Sequence, residues 1–203
     1  MNPLGKLDED RRQAREKQDP WAELCIVSTV TPGGEPSARV LVVRELDPDT
    51  RRAPASKLES PALGIFVNAS SPKVGEFSNS TSIAVLIYLP SVMVQYRLRC
   101  TLDPIEPAVV REAWQMRPEI PKHMDWVYET HPQSSEIASR EALIDAVGSQ
   151  SRDQPLIAPD SALGYVFQPL EIERLDLSGG DAPHDRRRYA AKNGEWLEAV
   201  LVP

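Results

Sequence analysis

Cysteine and histidine are scarce in this chain, and the scarcity removes two ways of building a site. The two cysteines, Cys25 and Cys100, each lie in apolar, strand-like text. They fit reduced core residues of a cytoplasmic protein rather than a disulfide framework. The three histidines stand apart at 123, 131 and 184, and no Cys-x-x-Cys occurs, so no metal centre is expected. Long apolar runs are missing too: none approaches the length of a membrane-spanning helix. The stretch from Met1 to Asp19 is polar and mixed in charge, unlike a signal peptide. Basic residues are outnumbered, with 23 Lys and Arg against 30 Asp and Glu, a net charge of −7. That balance disfavours nonspecific binding to nucleic acid or to an anionic membrane, where neutralising phosphate dominates affinity.

Proline is what the chain has in plenty. Nineteen of them point to many short elements joined by rigid loops. The length of 203 residues, with 41% hydrophobic and 26% charged, fits one globular domain over 1–203. A domain of that size buries about two-thirds of its unfolded surface without cross-links. Residues 1–20 form a polar N-terminal segment in which Asp8 to Lys17, acids first and bases later, is helix-forming. Its thin apolar face suggests a place on the surface or against a partner subunit.

Beyond it, Leu24 to Val30 has the pattern of a buried strand, Pro32-Gly33-Gly34-Glu35-Pro36 is turn chemistry, and Ser37 to Leu46 is the returning strand. Arg51 to Ser60 is a polar loop. Ala62 to Val67 is a third strand, followed by a helix over Val74 to Asn79 with serine as cap and Pro72 in the first turn. Ser82 to Leu89 and Met93 to Leu102 are further strands. Helices are expected from Glu106 or Pro107 to Pro118, from about Pro121 to Tyr128, and from a Ser139 cap to a Gly148 stop. Gln150 to Ser161 is a loop. Strands then return over Gly164 to Gln168 and Glu171 to Leu177. Arg187 to Ala191, the turn Lys192-Asn193-Gly194 and Trp196 to Leu201 make a final hairpin. Short antiparallel connections with the helices grouped together indicate an α+β protein built on an antiparallel barrel.

Several residues have chemistry to offer, and each also has a plain explanation. Arg39 sits among aliphatic strand residues and needs an anionic partner, which a neighbouring carboxylate or a ligand would satisfy. In an unbroken strand it shares a face with Leu41 and Val43, while Val40, Val42 and Arg44 take the other. Lys73 follows Ser70-Ser71-Pro72 at a helix N-terminus, where backbone N–H groups, hydroxyls and an ammonium suit phosphate; capped helices of this kind are also common without any ligand. Gln95 in a strand and Gln133-Ser134 before a helix offer amide groups to a heterocycle, or are simple loop and cap polarity. In the charged stretch His184 to Tyr189, the arginines are either solvated edge charges or, for His184 and Arg186, part of a site.

The order of these stretches is informative. Ser37 to Arg44, Ser71-Pro72-Lys73, Tyr88-Leu89-Pro90 with Gln95, Arg117-Pro118, Gln133 to Arg140, and His184-Asp185-Arg186 with the closing Leu201-Val202-Pro203 together resemble the pyridoxamine 5′-phosphate oxidase family, over roughly Trp21 to the C-terminus. The resemblance implies an antiparallel split β-barrel of the six-stranded type with peripheral helices, acting as a homodimer with FMN at the subunit interface. It implies that Arg39 and Lys73, assisted by Ser71, hold the flavin phosphate. Val40, Leu41, Phe66 and Val67 would lie along the flavin, with Arg44 close by. Gln95, Gln133 and Ser134 would meet the ring edge or ribityl chain, and Arg186 would reach the flavin from the other subunit. Arg44, Arg117 and His184 become the candidate catalytic, substrate-contacting set. The implied activity is hydride transfer from a small substrate to flavin N5, with reoxidation by dioxygen. Two other readings are a genuine pyridoxamine or pyridoxine 5′-phosphate oxidase in pyridoxal phosphate salvage, and a non-catalytic flavin-binding dimeric scaffold.

The sequence also departs from the vitamin oxidase pattern. Arg44 replaces a lysine, Ala182 an arginine, Ala113 a tyrosine and Pro72 an arginine; a tryptophan is missing from Leu175 to Gly180, and the spacing from Arg117 to Gln133 is longer. These changes fall mostly on the vitamin-substrate pocket and spare several of the flavin-phosphate contacts.

Overall fold

The computed structural model describes residues 2–46, 62–79, 82–153, 157–180 and 182–203, without the side chains of 150–153. Among the described residues, nine antiparallel strands form one curled sheet, a split half-barrel, around which five helices are set. The strands are β1 (Leu24–Val30), β2 (Pro36–Val42), β3 (Arg44–Leu46), β4 (Ala62–Asn68), β5 (Ile83–Leu89), β6 (Val94–Pro104), β7 (Ala162–Asp176), β8 (Asp185–Lys192) and β9 (Glu195–Leu201). The helices are α1 (Pro3–Glu16), α2 (Pro72–Asn79), α3 (Pro107–Gln115), α4 (Glu119–Val127) and α5 (Arg140–Asp153).

The strand order is β2-β1-β5-β6-β7-β4-β3, and β7 is the trunk. One edge of β7 pairs with β6; the other pairs with β4 at its start and with β8 at its end, so the sheet forks there. Alternation sends Cys25, Val27, Val85, Ile87, Val94, Tyr96, Leu98 and Ile172 inward, where they make one apolar core with Ile65 and Phe167. The final hairpin turns at Asn193 and Gly194, with φ of 54° and 83°, the left-handed pair that a two-residue loop between twisted strands requires.

Four expectations are corrected. The strand Ser37 to Leu46 is broken at Val43, a fully buried residue whose N–H donates to Glu23 O at 3.0 Å, so β3 leaves β1 and pairs with β4 instead. The two last sheet segments before the hairpin are a single strand, because a register shift between Arg99 and Cys100 lies opposite Pro169. A bulge is where a residue without an N–H can remain in a sheet. Helix α5 runs past Gly148 and into the stretch read as a loop. Ser139 Oγ does cap it, accepting from Ala142 N at 3.1 Å. The loop Arg51 to Ser60 lies outside the described residues.

The largest correction concerns α1. It is neither a surface helix nor left for a partner, but docks on its own barrel through Leu4, Leu7 and Ala14. Its charges go in with it: the Arg11 side chain is fully buried, donating to Ala22 O at 2.9 Å and Glu45 at 2.5 Å. Asp10 accepts from the Tyr96 hydroxyl at 2.6 Å and Arg174 Nε at 3.0 Å. Arg11 Nη2 makes no hydrogen bond and has only Glu23 at 3.6 Å, so the other contacts carry the cost of burying this charge.

Candidate functional site

The β4–α2 junction assembles the first cluster. Asn68, the last residue of β4, is buried and organises the loop: its Oδ1 accepts from Ser70 N at 2.9 Å and Ser70 Oγ at 2.7 Å. Ser70 Oγ in turn accepts from Gln133 N at 3.1 Å, tying the distant Gln133 loop to this corner. The chain then enters α2, where Lys73 is only 8% exposed. Its ammonium donates to the buried Ser71 hydroxyl and, at 3.4 Å, to Gln133 Oε1. Both acceptors are neutral. Burial and, behind it, the charge of Arg39 push Lys73 below the ordinary lysine value.

Arg39 enters from β2. Val27 and Arg39 are paired across β1 and β2, so both face inward, toward α2. The guanidinium is held on four sides: Nη1 donates to Thr29 Oγ1 at 2.5 Å and Val27 O at 3.4 Å, Nη2 to Ser37 Oγ at 2.6 Å and Glu76 Oε2 at 2.7 Å. Thr29 also donates to Glu76 at 2.5 Å. Against the upward push of burial, Thr29 and Arg39 keep the Glu76 carboxyl below its usual range, hence ionised at neutral pH. Two cations, one carboxylate, two serine hydroxyls and a helix N-terminus therefore meet at one corner, a donor set suited to a phosphate.

The other candidates fall in three places. Leu41 lies on the inner face with Arg39, and Val67 is buried beside Asn68. Phe66 covers Gly164: a Cβ there would meet Phe66 ring carbons at 3.1 Å and Ile105 Cδ1 at 2.9 Å, so the aromatic needs the glycine. Ser134 is exposed, at φ 74°. Val40 points outward and is 50% exposed. Gln95 and Arg186 also point outward, in one row across the sheet, Tyr88–Gln95–Leu175–Arg186–Leu201. Arg186 is paired with Glu173 at 3.0 Å.

The three catalytic candidates are not brought together. Arg44 is exposed on β3, just past the break at Val43, with Glu23 nearby. Arg117 pairs with the buried Asp125, which also accepts from Trp114 Nε1 at 2.8 Å. Burial keeps the Asp125 carboxyl above its ordinary range even so, with Arg117, Trp114 and Asn68 pulling the other way. His184 is exposed just ahead of β8.

Sequence reasoning missed Asn68, Thr29 and Glu76, and had Ser70 only as one of the hydroxyls of the Ser70-Ser71-Pro72 helix start. Glu76 had a signal: three residues after Lys73 on a helix, it shares that lysine's face. Thr29 had one too, as a polar residue at an inward position of an apolar strand.

A half-barrel with a polar, cationic corner where a strand hands over to a helix defines a split-barrel protein of the cofactor-binding kind. Residues 8–106 match the family model of the pyridoxamine 5′-phosphate oxidase FMN-binding domain. Curated relatives include pyridoxine/pyridoxamine 5′-phosphate oxidases from Pseudomonas putida, 27% identical over 90% of this chain and 79% of that protein, and from Mannheimia succiniciproducens, 25% identical over 100% and 89%. Among solved structures, PhzG from Burkholderia lata, in complex with tetrahydrophenazine-1-carboxylic acid, superposes with a TM-score of 0.81 at 22% identity, covering 100% of this chain and 93% of that one. A pyridoxamine 5′-phosphate oxidase-related, FMN-binding protein from Nostoc punctiforme gives 0.77 at 19%, covering 98% and 96%. Residues 8–106 thus match the FMN-binding domain of the pyridoxamine 5′-phosphate oxidase family, whose cofactor is FMN, and the fold as a whole is that of its split barrels.

Proposed function

We propose that this chain is an FMN-dependent oxidoreductase acting on a small molecule, with Arg39, Lys73 and Ser71 holding the cofactor phosphate. The observation that carries the placement is the buried Lys73 ammonium. It stands beside a second cation and touches only neutral acceptors, with no carboxylate among the described residues in ion-pair contact with it. A buried cation left so needs an anion. Ser70 and Asn68 fix the loop, and Gln133, positioned by Ser70, offers its amide to the polar part of the cofactor. Leu41, Phe66 and Val67 supply apolar surface that excludes water.

When bound by Arg39, Lys73 and Ser71, FMN would supply the redox chemistry, acceptance of a hydride and reoxidation by dioxygen. What the protein contributes is binding and orientation. Gln95 and Arg186 are on the outer face, whereas Arg39 faces inward toward α2, and the sheet separates the two groups. A homodimer, in which the outer row of one copy meets the corner of the other, lets both act on one cofactor. The exposed apolar residues Val30, Val40 and Val42 on the same outer face support that arrangement. No helix among the described residues is long and apolar enough to cross a membrane, and the buried free thiols Cys25 and Cys100 support a reducing, cytoplasmic setting.

A genuine vitamin-phosphate oxidase is favoured by the names of the curated relatives. Against it stand Ala182 and the engagement of Arg117 by Asp125, which leaves less cationic charge for a substrate phosphate. One experiment tests these readings together. The FMN-loaded protein is mixed anaerobically with a panel of small amines and alcohols, including pyridoxamine and pyridoxine 5′-phosphates. Bleaching of the flavin absorbance, with peroxide on admitting air, is expected for at least one non-vitamin substrate. Bleaching by the vitamin phosphates alone would establish the salvage reading. A flavin reduced by dithionite but by nothing in the panel would leave the scaffold reading.

A further inference from the structure

Glu76 is an odd residue to find at the corner just described. Its side chain is 7% exposed, and it brings a negative charge to the place that must receive an anion. Its Oε2 accepts both from Arg39 and from Thr29, so two strands and a helix converge on that one oxygen. Both Nη atoms of Arg39 are engaged by the protein's own acceptors, leaving no fork for a bidentate grip on phosphate. With Arg39 and Lys73 counted as +1 each and Glu76 as −1, the corner carries one net positive charge, against a phosphate monoester of about −1.5 to −2.

Resting on the reading that Arg39 and Lys73 hold the cofactor phosphate, we propose that Glu76 is the internal counterion of the phosphate receptor. It fixes Arg39 and offsets the repulsion between the two cations while the receptor is empty, at the expense of affinity once the phosphate arrives. The residue is thus a positioning residue and a limiter of charge, and it sets how strongly the receptor prefers a phosphorylated flavin over an unphosphorylated one. Thr29 serves it by donating to the carboxylate, which keeps Glu76 ionised and turned toward Arg39.

The test is Glu76→Gln, which keeps an acceptor for Arg39 and Thr29 while deleting the charge. Affinities for FMN and riboflavin are measured by flavin fluorescence quenching, and the melting temperature is followed with and without inorganic phosphate. E76Q is expected to bind FMN tighter by on the order of tenfold, the scale of one charge acting across a partly buried site. Riboflavin affinity is expected to be unchanged, the ligand-free chain to melt lower, and inorganic phosphate to raise its melting temperature more than in the wild type. Glu76→Asp, which retains the charge, is expected not to tighten FMN. If Glu76 serves packing or orientation alone, E76Q binds FMN no better than the wild type, and that result overturns the proposal. Should E76Q not fold by itself, its refolding is titrated with flavin: recovery by FMN and not by riboflavin supports the proposal, and recovery by neither overturns it. Unchanged FMN affinity in both Arg39→Ala and Lys73→Ala sinks the phosphate placement itself. Loss of FMN in those two, with no gain in E76Q, sinks the role of Glu76 alone.

Discussion

If the cofactor phosphate sits where proposed, Lys73 is the residue at which stability and cofactor binding oppose each other. Its ammonium is buried against neutral oxygens and faces Arg39, so the ligand-free chain carries an unfavourable charge that bound phosphate relieves. Lys73→Met keeps an unbranched stem and removes the charge. The variant is expected to melt higher than the wild type without ligand, by about 1 kcal/mol, and to lose about 2–3 kcal/mol of FMN binding. Calorimetric melting and flavin titration check the two halves. The pH dependence has a definite sign. A lysine held below its ordinary value of 10.5 binds its proton less tightly folded than unfolded. Its penalty is full below the folded pKa and fades as pH rises toward 10.5, so the gap between K73M and wild type should narrow in alkali. Cys25 acts oppositely in both proteins: burial pushes its thiol from 9.0 up to about 12, and the stability it contributes is lost as pH climbs from 9 through 12. Comparing the two chains cancels that second effect. Lys73 itself was legible from its Ser-Ser-Pro-Lys setting. The full shell was not, because Glu76 takes its partners from strands 37 and 47 residues away.

Among the elements, α1 shows most clearly what local sequence conveys and what it withholds. Its helicity is written in the run from Asp8 to Lys17, and Asn2 caps it by accepting from Leu4 N at 3.0 Å. Its docking is not written there, since Asp10 and Arg11 look like solvated charges until Tyr96, Arg174 and Glu45 arrive from distant strands. Asp10→Ala removes the acceptor and leaves Arg174 and the Tyr96 hydroxyl without it in the interior. The expected cost is about 3–5 kcal/mol, seen as a lower urea midpoint together with faster amide exchange throughout α1. Tyr96→Phe, which deletes one donor and leaves the ion pair, should cost about 1 kcal/mol. Equal costs would mean that α1 is held by its leucines and not by this network. The strands were legible wherever alternation was undisturbed, as in β1, whose bounds Leu24–Val30 match the expectation. They were misjudged where long-range geometry prevails: at Val43, pulled inward by Glu23 O, and at Pro169, accommodated by the bulge opposite it.

At the scale of the whole molecule, the outer sheet face is the feature one chain leaves unresolved. Directly paired residues Val42 and Leu24, then Val40, Ile26 and Leu86, then Ala38, Ser28 and Ala84, form continuous rows of mostly apolar side chains across β2, β1 and β5. Val30, at the end of β1, and Val40 and Val42, on the edge strand β2, are 45%, 50% and 44% exposed. Such a face invites a second copy, and the same copy would bring Gln95 and Arg186 to the cofactor. Sequence order alone held the candidates but not this division between faces, which depends on the curl of the sheet. Val40→Asp tests both consequences at once. Because the side chain points away from the core, the folded chain should lose only about 0.5–1 kcal/mol, with its circular dichroism intact. Sedimentation velocity should nevertheless show a monomer for the variant and, on the proposed arrangement, a dimer for the wild type, since an unpaired carboxylate would be desolvated at the centre of the contact. FMN affinity should fall with it, even though Arg39, Lys73 and Ser71 are untouched. A variant that remains dimeric places the contact elsewhere on the molecule. A monomer that holds FMN as tightly as before shows that the corner between β2 and α2 is sufficient alone, leaving Gln95 and Arg186 without a part in binding.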